Sequence, residues 1–220
     1  DFTGGIVRAY SSLIEKLAAS GAEWIQFDEP SLAMDQTSED VSLFSGLYAG
    51  ILEAKGKAKI LLQTYFGDIR DCYGEAAALD FDGIGLDFIE GKESLRLIRE
   101  NGFPDHKTLF AGLVNGKNIW RNNYAKTLSA IGELKGHADH IVLGTSCSLL
   151  HVPFTVENET QLDNTYKRHL AFAVEKLGEL ADLKKLASSA SPSGEDAYAA
   201  NEALFKNVRH GGNEAVQARV

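Results

Sequence analysis

The residues best placed to do chemistry are Asp28 and Glu29, two adjacent carboxylates followed by Pro30 at the end of the run Gly21-Ala22-Glu23-Trp24-Ile25-Gln26-Phe27. Proline cannot donate to a sheet ladder and restricts the residue before it, so the chain must leave a strand where this pair emerges. The rim at the C-terminal ends of parallel strands is where α/β proteins bind ligands. The competing role is to cap the next element, because acidic side chains are favourable near a helix N-terminus. Gln63, Asp87, Asn115 and Ser146 fall at other predicted strand ends, where they can hydrogen-bond across a barrel mouth or simply network the loops. Cys147, beyond the last strand, is a candidate nucleophile, against the commoner role of a small packed thiol. His151 could serve as acid or base, or fix its loop. A metal gathered by Asp87, Cys147 and His151, or by a rearranged Asp28/Glu29 pair, is disfavoured by the small ligand count.

Positioning these residues requires elements, and hydrophobic periodicity supplies them. Ile6, Tyr10, Leu13, Ile14 and Leu17 recur at helical spacing and lead into the strand around Trp24–Phe27. Val41 to Leu52 repeats the helical pattern and ends near Gly56. A near-continuous apolar run from Lys59 to Phe66 follows, as expected of a strand buried on both faces of a parallel sheet. The alternation continues with a helical stretch at 68–79, strands at 83–89, 108–114 and 140–146, and helices after Ser94, from about Ile119 to Leu134, and from Gln161 to Leu186. Strands alternating with helices mean a parallel sheet with right-handed crossovers. Neither GxGxxG nor GxxxxGK[ST] occurs in the right context, which counts against dinucleotide and P-loop chemistry. The expected fold is a TIM-type (β/α) barrel, here about five C-terminal βα units of an eight-unit barrel plus a linker.

The chain has 220 residues, of which 44% are hydrophobic and 24% charged, with a formal net charge of -9. An acidic chain without a dense Lys/Arg cluster is a poor match to nucleic acid or to anionic membrane. Cys72 and Cys147 are far apart, and no apolar run reaches spanning length, so a reducing, cytoplasmic setting is expected. Residues 1–187 are expected to form the partial barrel. The stretch Ala187-Ser188-Ser189-Ala190-Ser191-Pro192-Ser193-Gly194 opens a linker over 188–220, with a helix-compatible piece at 197–204 and a break at His210-Gly211-Gly212. The absence of an initial methionine suggests a piece cut from something longer, its missing strands upstream of Asp1 and open edges that invite self-association.

Four segments carry a resemblance: residues 21–30, Gln63-Thr64-Tyr65-Phe66, Gly112-Leu113-Val114-Asn115-Gly116-Lys117-Asn118-Ile119-Trp120-Arg121, and Ser146-Cys147-Ser148-Leu149-Leu150-His151-Val152-Pro153. In the family's order through most of the chain, they resemble the N-terminal half of cobalamin-independent methionine synthase. The resemblance implies two facing barrels that move a methyl group from methyltetrahydrofolate, with its polyglutamate tail, to homocysteine. It implies a zinc ion in the second, C-terminal barrel, held by a His-x-Cys pair, a Glu and a further Cys; that barrel would be this chain's partner. Laid on this chain, that pattern falls on Leu62-Gln63-Thr64, Asp87 and Cys147, a degenerate set without imidazole that should hold zinc poorly. The implied role is a non-catalytic scaffold facing the substrate cleft, with no cofactor of its own. Lys117 and Arg121, flanking Trp120, are expected to be solvated or interdomain residues, with contact to a glutamate tail a minor alternative. The reading of another class is a self-contained small-ligand-binding α/β protein with a carboxylate-rich rim of Asp28, Glu29 and Asp87.

Overall fold

The computed structural model describes residues 2–206. Helix α1 (Phe2–Ala19) leads into β1 (Trp24–Asp28), and then α2 (Ser38–Leu52), β2 (Lys59–Gln63), α3 (Tyr73–Ala78), β3 (Gly83–Asp87), α4 (Ser94–Asn101), β4 (Thr108–Val114), α5 (Tyr124–Leu134) and β5 (His140–Thr145) alternate. After β5 come α6 (Asn164–Lys167), α7 (Ala173–Ser188) and α8 (Asp196–Lys206). The five strands form one parallel sheet in the order β1-β2-β3-β4-β5. Strand order never reverses along the sheet, unlike the switch point of a doubly wound fold.

Register separates the two faces. On one, Ile25, Ile60, Leu62, Ile84, Leu86, Leu109 and Ala111 pack with Ile14, Phe44, Tyr48, Ile51, Leu97, Ile98, Ile131 and Leu134 from the helices to make the main core. On the other, Leu61 pairs with Gly83, Gly83 with Thr108, and Gly85 with Phe110, which in turn pairs with Val142. Here the Trp24 ring of β1 meets the Phe110 ring of β4 edge-on at 5.3 Å between centroids, although β2 and β3 lie between their strands. The sheet is therefore curled toward this face. Gly83 makes the contact possible: a Cβ there would sit 2.8 Å from the Phe110 ring. A five-stranded parallel sheet with helices over its outer face is consistent with part of a (β/α) barrel.

Several boundaries differ from the sequence expectation. The second strand stops at Gln63 rather than Phe66, because Phe66 has a φ of 69° and Gly67 a φ of 153°, turning the chain out of the sheet. The third stops at Asp87 rather than Ile89, where the Asp87 side chain binds the next backbone N–H groups. Helix α5 starts at Tyr124, capped by the Asn123 side chain, and not near Ile119. Residues 119–121 instead run against 169–171, with Arg121 N–H donating to His169 O at 2.9 Å and Ala171 N–H to Ile119 O at 2.8 Å. That strap keeps 161–172 from joining α7, which begins at Ala173. Within the expected linker, α8 docks on α5 through buried Asn201, which accepts from Tyr124 N–H and donates to Asn122 O. The expected break at 210–212 lies outside the described residues.

Candidate functional site: the C-terminal rim of the sheet

Asp28, Gln63 and Asp87 are the last residues of β1, β2 and β3, and Asn115 and Ser146 the first beyond β4 and β5. Parallel strands bring all five to one end of the sheet. Their engagements differ, and those decide what each can do. Glu29 is half-buried and receives a short hydrogen bond from the Tyr48 hydroxyl of α2. Burial, with Glu29 beside it, pushes the Tyr48 hydroxyl well above the usual tyrosine range, so it stays a donor. Glu29 is thereby tied to the helix layer. Asp28 is exposed and accepts from Gln26 Nε2 at 2.6 Å. Tyr65, on the loop after β2, is raised by burial and by the nearby charges of Asp28, Cys147 and Glu29.

Asp87 is buried, at 1% exposure. Its Oδ1 accepts from Ile89 N–H at 2.7 Å and Glu90 N–H at 2.9 Å, and its Oδ2 from Phe66 N–H at 3.2 Å. Burial raises its pKa despite these three bonds to the charged form. Asp87 thus stitches the loop after β2 to the loop after β3, and it holds Phe66 in a left-handed conformation that a bulky side chain rarely adopts. The Phe66 ring is a hub: Tyr65 at 5.0 Å, His151 at 5.4 Å and the Lys117 ammonium at 5.1 Å surround it. Lys117 also pairs with Glu90 at 2.7 Å. It is exposed, as expected, and its ammonium also ties together the loops after β2, β3 and β4.

Asn115 Oδ1 accepts from the backbone N–H groups of Lys117 at 2.9 Å and Asn118 at 2.8 Å, closing the turn after β4. Ser146 is buried, and its Oγ accepts from Gly116 N–H at 3.1 Å. Cys147 is buried at 5% exposure, and burial pushes its thiol up, away from the thiolate a nucleophile needs. His151 is exposed and its ring stands edge-on to Phe66. The rim therefore assembles Asp28, Tyr65, Phe66, Lys117, Cys147 and His151, with neighbouring loops joined by Asp87 and Ser146 and the turn after β4 closed by Asn115. Among the described residues no three His, Cys, Asp or Glu side chains gather as a metal ion would need. Asp87, Cys147 and Gln63 offer one carboxylate, one thiol and an amide with no imidazole, and do not fit a zinc site.

Sequence reasoning missed two features. One is the Phe66 hub, whose sign would have been an aromatic followed by glycine at a strand end. The other is a set of exposed apolar side chains in all five loops beyond the strands: Met34, Phe66, Ile89, Trp120, and both Leu150 and Phe154, with Leu150 93% exposed. Beneath the Trp120 strap, Lys176 and Glu179 of α7 are both buried. Lys176 Nζ reaches Trp120 O at 3.2 Å, Glu179 Oε1 accepts from Asn122 N–H at 3.0 Å, and Arg121 lies 3.8 Å from the same oxygen. Burial lowers the lysine and raises the glutamate. Among the described residues no helix is long and apolar enough to cross a membrane.

Comparison with known proteins shows the family. Residues 1–139 match the family model described as cobalamin-independent synthase, N-terminal domain. The chain is 54% identical over 181 residues to a 5-methyltetrahydropteroyltriglutamate–homocysteine methyltransferase of Lactococcus lactis subsp. cremoris (strain SK11), covering 82% of this chain and 24% of the relative. It is 49% identical over 220 residues to the enzyme of that name from Streptococcus sanguinis (strain SK36), covering 100% of this chain and 28% of the relative. The match to that of Campylobacter jejuni subsp. jejuni serotype O:23/36 (strain 81-176) is 48% over 215 residues, 98% of this chain and 28% of the relative. The chain spans about a quarter of the length of these curated relatives. It belongs to the cobalamin-independent methionine synthase family, within that family's N-terminal domain.

Proposed function

We propose that this chain is a non-catalytic part of a methyltransferase that moves a methyl group from 5-methyltetrahydropteroyltriglutamate to homocysteine in methionine biosynthesis. In this reading, residues 1–187 are five units of an eight-unit (β/α) barrel and 188–220 lead toward a separate C-terminal barrel that holds zinc. Zinc there would stabilise the homocysteine thiolate. The barrel reading is supported by the unreversed strand order and by the Trp24–Phe110 contact across the curled sheet. The observation that carries the scaffold reading is the apolar rim. Every loop beyond a strand raises a large exposed hydrophobic side chain, while the rim's buried carboxylate is spent on backbone N–H groups. Such a surface suits contact with another protein body better than bond-making chemistry. Asp28, Tyr65 and His151 remain open to the cleft such a contact would enclose, and they are the residues positioned to touch substrate.

The test is a methyl-transfer assay with the chain alone and with the separately produced remainder of the Streptococcus sanguinis relative, together with metal analysis. The chain alone is expected to give no turnover and no stoichiometric zinc, and the mixture to give turnover above that of the remainder by itself. Turnover by the chain alone refutes the scaffold reading, and a mixture no better than the remainder refutes the docking role of the rim.

A further inference from the structure

The strap formed by 119–121 and 169–171 lies over α7, and ionisable side chains hold its underside. Its two limbs are joined to each other by Arg121 N–H donating to His169 O and Ala171 N–H to Ile119 O, with Trp120 paired antiparallel to Leu170. From α7, Lys176 Nζ donates to Trp120 O at 3.2 Å and to Asn118 Oδ1 at 3.4 Å. Glu179 Oε1 accepts from Asn122 N–H at 3.0 Å, with Arg121 Nη1 3.8 Å away. Glu179 is 1% exposed, and its other oxygen, Oε2, is buried with no hydrogen-bond partner among the described residues. A bare buried oxygen is costly, and most costly when the group carries charge.

The charged and titratable groups facing Glu179 come from three elements. Lys176 and Asp182 belong to α7 itself, Arg121 to the strap, and Tyr124 to α5, where its hydroxyl donates to Asp182 at 2.9 Å. Burial is the largest influence and raises the Glu179 carboxyl above its ordinary value of 4.5, against the lowering effects of the Asn122 N–H, Lys176 and Arg121. A closed strap therefore holds the Glu179 proton more tightly than a strap that lets water reach Oε2. Protonation favours closure, and that preference is lost as pH rises from 4.5 through the value in the closed state. Local opening of a segment tied down by so few bonds does not require the sheet to unfold.

We propose that the strap is a proton-controlled latch, lying closed on α7 while Glu179 carries a proton and lifting toward solvent when Glu179 ionises. The moving part carries Trp120, 57% exposed and one of the apolar side chains of the rim, so the proton on Glu179 sets where that ring stands. The latch belongs to this chain's own fold and is independent of the methyl-transfer reading.

The test is a pH titration of tryptophan emission in the chain carrying Trp24→Phe, which leaves Trp120 as the single tryptophan. Emission is expected to move reversibly to the red as pH rises, with a midpoint above 4.5. Glu179→Gln, neutral at every pH, is expected to keep the low-pH emission throughout. Above the midpoint it should also melt at a higher temperature than the parent, the opposite of what losing a structural charge pair would give. Arg121→Met, at a partly exposed position, removes a positive neighbour and is expected to raise the midpoint, a result that stands even if Glu179→Gln does not fold. His169, on the other limb with its ring beside Arg168, is a second titratable group, and His169→Gln is expected to leave the transition in place. A flat titration, a midpoint at or below 4.5, or a midpoint not raised by Arg121→Met overturns the proposal. So does a transition that survives Glu179→Gln or disappears with His169→Gln.

Discussion

Replacing Asp87 with asparagine changes one atom of a side chain that holds two loops. The amide can offer its oxygen to Ile89 N–H and Glu90 N–H, but its NH2 must then face Phe66 N–H, donor against donor. Leaving that backbone N–H without an acceptor costs about 1–3 kcal/mol. The two retained bonds lose their charge assistance, roughly half their strength and about 1 kcal/mol together. The neutral amide no longer buries a charge, which offsets part of the loss, so the net expectation for Asp87→Asn is about 2 kcal/mol of destabilisation. With a urea slope of about 2 kcal/mol/M, the unfolding midpoint falls by about 1 M. Burial raises Asp87 above the ordinary value of 3.8 in the folded chain, so the folded state holds the proton more tightly than the unfolded chain does. The Asp87 contribution therefore declines as pH rises from 3.8 through the folded value, and the asparagine variant lacks that decline. The gap between the two proteins should narrow as pH rises through that window. A midpoint unchanged within about 0.2 M refutes the account of the loop stitch; a gap independent of pH refutes the account of burial.

Gly116→Ala drives a Cβ into the Cys147 backbone carbonyl and to 2.9 Å from its Sγ, and should cost about 2–3 kcal/mol, seen as a lowered melting temperature. Gly85→Ala meets instead the amide end of Gln63, a flexible side chain on the open face, and should cost less than about 1 kcal/mol; equal losses at the two sites would show that backbone contact is not what matters. Lys176→Met leaves Trp120 O without its buried donor and should cost about 1–3 kcal/mol, seen as a lowered melting temperature; an unchanged melting temperature would refute the account of the bond beneath the strap.

The sheet was legible because its signal is local: each strand is an apolar run that ends on a polar residue, and Asp28, Gln63 and Asp87 do terminate β1, β2 and β3. What the candidates do at those ends was not legible, since their partners are remote. Glu29 is claimed by Tyr48 from the next helix, and Phe66 is held left-handed by a carboxylate 21 residues on. Periodicity extended the second strand through Phe66 because an aromatic after a β-rich run looks like more strand. It likewise began a helix near Ile119 and another at Gln161, because the strap joining 119–121 to 169–171 involves residues about fifty apart. Lys117 is exposed, as expected of a solvated residue, but its pairing with Glu90 was not legible, because an intervening strand and helix separate the two in sequence. Buried Lys176 and Glu179 are the reverse case, charged residues on a helix that composition alone assigns to solvent.

The edge-on pairing of Trp24 with Phe110 gives the protein a built-in optical gauge of its own curvature. The indole is 37% exposed and has the Lys59 ammonium 5.3 Å from its ring, so its surroundings depend on how far β1 is bent toward β4. Flattening the sheet would release the ring to water and shift its emission to the red, whereas further strands completing the curl would bury it. The second tryptophan, Trp120, sits outside on the strap, so replacing it with phenylalanine isolates the reporter. Emission colour would then read closure of the sheet directly, in this chain and in any longer protein that contains it.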